Sequence, residues 1–207
     1  MTLINVITPQ NAPGARLKAG ESDLFLAGGI ATGADDWRAA LLQGIGERLS
    51  PDEQRRLTVV DPTNTAWDAS FGDTEVKEQI AWEASALDAS RAAAFHFTSR
   101  GDQPLTMFEL GAFLGARDGR LVFASVERGY SRAVELRAEL ATAGVRDVHG
   151  GLDSLADAVA WYFRALLFVR ERFGSHSHGS AIVLADVMAR MRKGSWKVPT
   201  NTNERFE

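Results

Sequence analysis

The order of hydrophobic segments in residues 24–174 constrains the fold of this chain more than any other feature of its sequence. Short apolar runs alternate there with longer segments whose apolar residues recur every three or four positions. The first pattern is typical of buried strands and the second of amphipathic helices. Strands that alternate with helices form βαβ units, which produce a parallel sheet. We therefore predict a three-layer, Rossmann-like (flavodoxin-like) α/β sandwich with a C-terminal helical extension.

The predicted elements divide the chain into three parts. Residues 1–23 form an N-terminal extension, residues 24–174 the α/β domain, and residues 175–207 a linker, a short helix and a polar tail. Predicted strands occupy residues 24–30, 57–62, 92–97, 121–126 and part of 145–150. Predicted helices occupy residues 34–50, 73–90, 106–119, 131–142, 152–172 and 181–194. Because right-handed crossovers place the carboxyl ends of parallel strands at one edge of the sheet, we expect ligands at the loops after the first three strands.

Composition and charge exclude several classes of partner. The formal net charge is -4 and both signs are mixed along the chain, so no field of one sign is expected to hold nucleic acid or an anionic membrane. The chain has no cysteine, which excludes disulfides and thiolate catalysis and fits a reducing cytoplasm. It shows neither a signal-peptide pattern nor a run of about 18 uninterrupted apolar residues. We therefore expect a cytoplasmic protein that binds a small molecule.

Glu109 is the first candidate for chemistry, and its spacing supports two interpretations. It follows Thr106 by three residues in "TMFE", the spacing of a capping box, in which the glutamate returns to the amide of the capping threonine. It also lies near the carboxyl end of a predicted strand, at a helix N-terminus whose dipole stabilises a carboxylate. In the second interpretation Glu109 attacks a sugar carbon, and Gly111 lets another group approach closely.

Glu83 raises a similar question because it interrupts an apolar stripe. Val76, Ile80 and Leu87 recur at helical spacing and are predicted to face the sheet, and Glu83 falls on the same stripe. A buried carboxylate needs a partner. Either Glu83 forms a salt bridge at the edge of the stripe, or it reaches the strand ends and binds sugar hydroxyls or orients Glu109. Two carboxylates in one cleft would push their pKa values apart, as acid and base roles require.

The loops after the first and third predicted strands hold the other candidates. Gly28 and Gly29 would let the backbone approach a sugar or phosphate, although they do not form a dinucleotide-binding fingerprint. In "TSRGDQP" (98–104), Asp102 would protonate a leaving base, while Ser99 and Arg100 would meet a phosphate. Ordinary polarity of a solvated loop is the default interpretation for all three residues.

Five segments in order, "FLAGGI", "DDW", "WD", "QIAWEASAL" and "PLTMFELG", resemble the nucleoside 2-deoxyribosyltransferase-like family. The resemblance implies a Rossmann-like domain, usually oligomeric, that breaks the N-glycosidic bond of a nucleoside or nucleotide. It also implies that the glutamate of the E-L-G motif, Glu109, forms an ester with the sugar, and that Glu83 contacts the sugar hydroxyls or supports the nucleophile. Such a mechanism requires no metal or cofactor. Phe25 and Trp67 complete the predicted pocket.

Two departures from the family pattern bear on the reaction. The family has a tyrosine where Phe25 stands, and a proton-donating aspartate six residues before the nucleophile, where this chain has Gln103. Asp102 is the substitute next to it. Three functions follow as alternatives: transfer of the sugar to a second base, its hydrolysis by water, or a non-catalytic role in nucleotide sensing. The predicted partners are a nucleoside or nucleotide and further copies of the same chain.

Overall fold

The computed structural model describes residues 2–14, 16–30, 35–66, 71–116, 120–145 and 147–173. The strands are β1 (Asn5–Ile7), β2 (Leu24–Gly28), β3 (Thr58–Val60), β4 (Ala92–Phe97), β5 (Leu121–Val126) and β6 (Val148–His149). The helices are α1 (Trp37–Arg48), α2 (Pro51–Arg55), α3 (Asp73–Ala89), α4 (Pro104–Gly115), α5 (Ala133–Thr142) and α6 (Leu152–Phe173). The chain divides into two compact units, Met1–Val159 and Ala160–Glu207, and the second contains the C-terminal part of α6.

The six strands form one parallel sheet in the order β1-β3-β2-β4-β5-β6. This architecture confirms the predicted Rossmann-like α/β fold. From β2 the chain crosses to β3 on one side, whereas from β4 it crosses to β5 on the other side. The neighbouring strands β2 and β4 therefore form a topological switch point, where the loops at their carboxyl ends diverge and leave a crevice.

One face of the sheet is covered by α3, α4 and α5. Phe25 and Ala27 of β2 belong to a buried cluster that includes Trp82 of α3, Leu110 of α4 and Leu136 of α5. Successive side chains of a strand point to opposite faces of the sheet. The residues of β2 next to Phe25 and Ala27 therefore point to the other face. The continuous apolar runs in the sequence follow from burial on both faces.

The opposite face carries α1. The ring of Trp37, the first residue of α1, lies 4.9 Å from the ring of the fully buried His96 of β4. Arg48, near the end of α1, forms ion pairs with Asp153 and Asp157 in the first turns of α6. Helices therefore pack on both faces of the sheet, as a three-layer arrangement requires.

The inward face of α3 differs from the predicted one. Ile80 was expected to face the sheet, but 56% of its surface is exposed, whereas Trp82 and Ala86 are buried. The helix turns this way because the indole of Trp82 removes more apolar surface from water than Ile80 would, and its Nε1 donates a hydrogen bond to Ala12 O. Glu83 keeps a half-buried position beside Trp82.

Residues 1–23, predicted as an extension, contribute β1 to the edge of the sheet, where it pairs with β3. A short helix, α2, was not predicted; Ser50 and Glu53 form a capping box at its start. The linker and the helix predicted at 181–194 lie outside the described residues. Among the helices that are described, none is long and apolar enough to cross a membrane.

Candidate functional site

The carboxyl end of β2 passes so close to its neighbours that it has no room for a side chain. A Cβ atom at Gly28 would lie 2.6 Å from Cζ2 of Trp37 and 2.7 Å from the backbone oxygen of His96. At Gly29 a Cβ would lie 3.1 Å from Cδ of Gln103. The glycines therefore allow close packing of the β2 and β4 ends, which is a structural role beside the ligand role predicted for them.

Arg38 of α1 caps the end of β2, and the sequence analysis did not identify it. Its guanidinium donates hydrogen bonds to the carbonyl oxygens of Leu26, Gly28 and Gly29 at 3.2, 2.8 and 3.1 Å. Nε lies 3.5 Å from Asp61 Oδ1, and only 3% of the residue is exposed. Arginine stays charged even in such surroundings. A buried positive charge thus lies at the switch point, and its signal in the sequence is an arginine directly after the first strand's loop, in "DDWR".

Glu109 and Glu83 face this charge from α4 and α3, and they influence each other. Burial, and then the negative charge of Glu83, raise the pKa of Glu109 to about 7, while Arg38 acts in the opposite direction. Burial also raises the pKa of Glu83, against a hydrogen bond from Gln79 and the charge of Arg38. The structure therefore brings together the two carboxylates that the sequence analysis selected, as a coupled pair beside one buried guanidinium.

The capping-box interpretation of Glu109 is wrong. The helix begins at Pro104 and its N-cap is Gln103, so Thr106 is already a helical residue and does not cap. Glu109 lies in the second turn of α4, too far along for the position that a capping box requires. Gly111 does not serve close packing either, since no described atom lies within 4 Å of where its Cβ would be.

A row of side-chain amides supports Glu83. Gln79 Nε2 donates to Glu83 Oε1 at 2.6 Å and lies 3.2 Å from the carbonyl oxygen of Pro62. Asn64 Nδ2 donates to Gln79 Oε1 at 3.1 Å, and Gln10 donates to Asn64. Glu83 is therefore held by a chain of hydrogen bonds that extends from the loop after β3 to the N-terminal segment, rather than by the salt bridge considered from sequence.

Gln103 connects the two loops of the switch point. Its Oε1 accepts a hydrogen bond from Gly29 N at 3.1 Å, and its Nε2 donates to the carbonyl and hydroxyl oxygens of Thr98. It is also the one non-glycine residue with positive φ in the described part of the chain, at 45°. Such a conformation costs energy and persists where surrounding contacts fix it. The side chain at the position of the family's acid thus holds loops together.

Asp102 is held by the loop after β5. Ser131 Oγ donates to Asp102 Oδ1 at 2.5 Å, and the Tyr130 hydroxyl donates to the carbonyl oxygen of Asp102 at 2.8 Å. To act as the acid, the Asp102 carboxyl group would have to break its hydrogen bond with Ser131 and form one with the leaving base. The structure also shows that the loop carrying this residue is anchored from β5, which the sequence did not indicate.

Ser99 and Arg100 are already bound to carboxylates of the protein. The Ser99 amide and hydroxyl donate to Glu127 Oε2 at 2.8 and 3.1 Å. Arg100 Nη1 lies 2.6 Å from Asp35 Oδ2 in an exposed ion pair. The groups selected as phosphate ligands therefore have acidic partners within the chain.

The two aromatic residues predicted for the pocket have different outcomes. Phe25 is fully buried in the core cluster, where it supports β2 and is not open to a ligand. Trp67 lies outside the described residues. In the described part of the chain, no cluster of histidine, aspartate and glutamate is suited to hold a metal ion.

A pocket of about 410 Å³ lies on the α1 side of the switch point. Trp37, Thr98, Arg100 and Glu127 contribute to its wall, together with Leu152 at the start of α6. Its described lining does not include Glu83 or Glu109, which project from α3 and α4. The carboxylate pair combines burial, coupled charges and a counter-ion, which makes it the stronger candidate for chemistry among the described residues.

Comparison with known proteins gives one match. The model of the family described as "Nucleoside 2-deoxyribosyltransferase like" matches residues 21–128, slightly more than half of the chain. The matched range extends from the start of β2 to just beyond β5 and contains both carboxylates of the pair. No curated protein matches the chain.

Proposed function

The chain belongs to the nucleoside 2-deoxyribosyltransferase-like family, and on this basis we propose that it cleaves the N-glycosidic bond of nucleosides and transfers the sugar to a second base. The observation that carries the proposal is the half-buried pair of Glu109 and Glu83 beside Arg38 at the switch point. Parallel α/β proteins bind ligands at this point. A carboxylate with a strongly raised pKa, such as that of Glu109, is typical of catalytic sites.

In the proposed mechanism Glu109 is the nucleophile. Its ionised Oε attacks C1′ of the sugar on the face opposite the base, and a C–O bond forms as the C–N bond breaks. The electron pair of the broken bond goes to the base nitrogen, which takes up a proton from water as the base leaves. A nitrogen of the second base then attacks C1′, gives its own proton to water and releases Glu109 as a carboxylate. Two inversions give net retention at C1′.

Glu83 and Arg38 position the nucleophile in this mechanism. Because Gln79 donates a hydrogen bond to Glu83 and favours its charged form, Glu83 ionises before Glu109 and accepts hydrogen bonds from sugar hydroxyls. Arg38 offsets part of the repulsion between the two carboxylates. Gly28 and Gly29 form the backbone beneath the sugar.

The covalent step is tested by trapping the ester. The protein is incubated with a 2′-fluoro nucleoside, whose electron-withdrawing fluorine slows breakdown of the ester, and its intact mass is measured. We expect a mass increase of one fluorosugar, located on Glu109 by peptide mapping and absent in Glu109→Gln. Glu135→Gln, which changes an exposed glutamate of α5, is the matched control and should still be labelled. Labelling that persists in Glu109→Gln would rule out Glu109 as the nucleophile.

Transfer and hydrolysis are separated by product analysis. Incubation of a deoxynucleoside with a second free base should give a new nucleoside. Release of free sugar at a rate that does not depend on the added base would instead favour hydrolysis.

A non-catalytic role in sensing is the second candidate, and one observation favours it. Asp102 binds Ser131 and Gln103 binds Thr98 and Gly29, so the two side chains nearest the family's acid position are engaged in structural contacts. The test compares nucleoside affinity with turnover in the wild type and in Glu109→Ala. Binding without turnover in either protein would support sensing, whereas formation of the ester on Glu109 would exclude it.

A further inference from the structure

The loop between β4 and α4 has a group of hydrogen-bond donors suited to an anion, and a carboxylate of the protein fills it. The amide and hydroxyl of Ser99 both donate to one oxygen of Glu127, Oε2, at 2.8 and 3.1 Å. A backbone N–H and a hydroxyl that converge on one oxygen are the contacts with which loops bind phosphate. Glu127 therefore occupies hydrogen-bond donors of the kind that bind an anionic group of a ligand.

Glu127 is held in its charged form. Although burial raises its pKa, the two hydrogen bonds from Ser99 and the nearby His96 lower it, and the net effect is a lowered pKa. The second carboxylate oxygen lies 3.3 Å from Nε2 of His96, a fully buried ring whose own pKa is lowered by burial. Around neutral pH the pair thus consists of an anionic carboxylate and a neutral imidazole, with net negative charge.

The charged groups that line the adjoining pocket are mostly negative, although Arg100 attracts Glu127. The adjoining pocket is lined by Asp35, Asp36, Glu127 and Arg100, so three carboxylates face one guanidinium. Arg100 is itself paired with Asp35 at 2.6 Å. The described residues of the loops after β2 and β3, 28–30, 35–36, 61–66 and 71–72, contain no lysine or arginine. A phosphate dianion would therefore meet repulsion here and would lack the donors of Ser99.

We propose that Glu127 determines substrate specificity: its carboxylate occupies the anion site of the β4–α4 loop, so that the enzyme accepts unphosphorylated nucleosides and rejects nucleotides. The identity of the substrates rests on the proposed function, but the occupation of the anion site does not. Glu127 acts through the loop and not on the glycosidic bond, so it is a specificity residue rather than a catalytic one.

Binding of inorganic phosphate tests the proposal without any turnover. We expect calorimetry and thermal unfolding to show no phosphate binding by the wild type at millimolar concentration. Glu127→Ser should free the Ser99 donors and bind phosphate at least about tenfold more tightly, as expected for charge-assisted hydrogen bonds. The double variant Glu127→Ser, Arg100→Ala should lose this gain, because it removes the guanidinium that attracts Glu127 in the wild type and would attract phosphate in its place. Phosphate binding by the wild type, or a folded Glu127→Ser variant without a gain, would overturn the proposal.

Turnover provides a second, separate measurement. The ratio of kcat/KM for a nucleoside to kcat/KM for its 5′-monophosphate should be high in the wild type and fall at least about tenfold in Glu127→Ser. Glu127→Gln keeps the size of the side chain and removes only its charge, so the ratio should fall by about fivefold. This variant also serves if Glu127→Ser does not fold. A wild type that prefers the monophosphate would overturn the specificity proposal and leave the glycosidic function intact. Absence of turnover with every substrate would instead reject the glycosidic function, and the phosphate-binding experiment would still test the anion site.

Discussion

At the scale of single residues, the site places charge where folding alone would avoid it. Glu109 is half-buried next to a second carboxylate, and Arg38 is buried against three carbonyl oxygens. A carboxylate whose pKa is raised in the folded protein binds a proton more tightly than in the unfolded chain, so its ionisation opposes folding. Ionisation of Glu109 therefore lowers the stability of the fold, a cost that the proposed role of Glu109 as nucleophile would require.

Glu109→Gln should stabilise the protein, and the gain should depend on pH. The pKa of Glu109 is about 7 in the fold, whereas 4.5 is usual for a glutamate. Stability linked to the bound proton is therefore complete below the lower value and is lost as pH rises through the higher one. From about pH 5 to about pH 8 the advantage of Glu109→Gln over the wild type should grow by about 1 to 2 kcal/mol, which allows for partial solvent access. Urea unfolding at the two pH values measures it. Glu135→Gln should show no such growth, and a constant difference for Glu109→Gln would contradict the raised pKa.

The pH dependence of turnover should report the same pair. Since Glu109 must be ionised to attack, kcat/KM should rise with pH with an apparent pKa near the value of about 7 found for Glu109. Glu83→Gln removes the negative charge that raises this pKa, so the rise should move to lower pH even if the rate falls. The profile of the free enzyme with a nucleoside measures this shift. A rise displaced to higher pH in Glu83→Gln would show that the two carboxylates are not coupled as described.

At the scale of secondary-structure elements, the end of β2 is the most tightly packed part of the site. Gly28→Ala should destabilise the fold by about 1 to 3 kcal/mol, because its Cβ would overlap both the Trp37 ring and the backbone of His96. The backbone atom cannot move without distorting β4. Gly101→Ala, where no described atom lies within 4 Å of a new Cβ, is the control and should be nearly neutral. Chemical denaturation measures the free energy of unfolding of both variants. Equal losses of stability in the two variants would mean that β2 and β4 can separate at low cost.

The elements that fill the core were predictable, and those fixed by polar contacts were not. The apolar runs of β4 and β5 predict the strands with their observed bounds, since burial on both faces requires such runs. β1 is only three residues long and has no such signal. Which face of α3 packs on the sheet depends on whether Trp82 or Ile80 is buried. Helical spacing alone does not decide between these two residues. The roles of Arg38 and Gln103 were not predicted because most of their partners are backbone atoms, and the folded sheet brings those of Gly28 and Gly29 within reach.

At the scale of the whole molecule, an exposed apolar face of α4 is a candidate contact for the predicted homo-oligomer. Leu105 and Phe108 are 76% and 77% exposed and lie on the face of α4 that also carries Ala112. Exposed large apolar side chains at helical spacing are typical of a contact with another chain. We expect Phe108→Glu to lower the mass measured by light scattering. Val134→Glu changes an equally exposed apolar residue, 80% exposed on α5, and should leave the mass unchanged. A monomeric wild type would contradict the homo-oligomer, and an oligomeric Phe108→Glu variant would exclude α4 as its contact.

The edge strand β1 has a consequence for how the protein can be shortened. The family match begins at residue 21, so a protein cut at that boundary would lack β1 and the contacts of Leu3 and Ala12 with Gln54 and Trp82. The backbone of β3 would then become a free edge of apolar valines, a template on which other chains can add strands. Trimming to the range matched by the family model would therefore expose a sheet edge prone to aggregation, an edge that the N-terminal segment covers in the full chain.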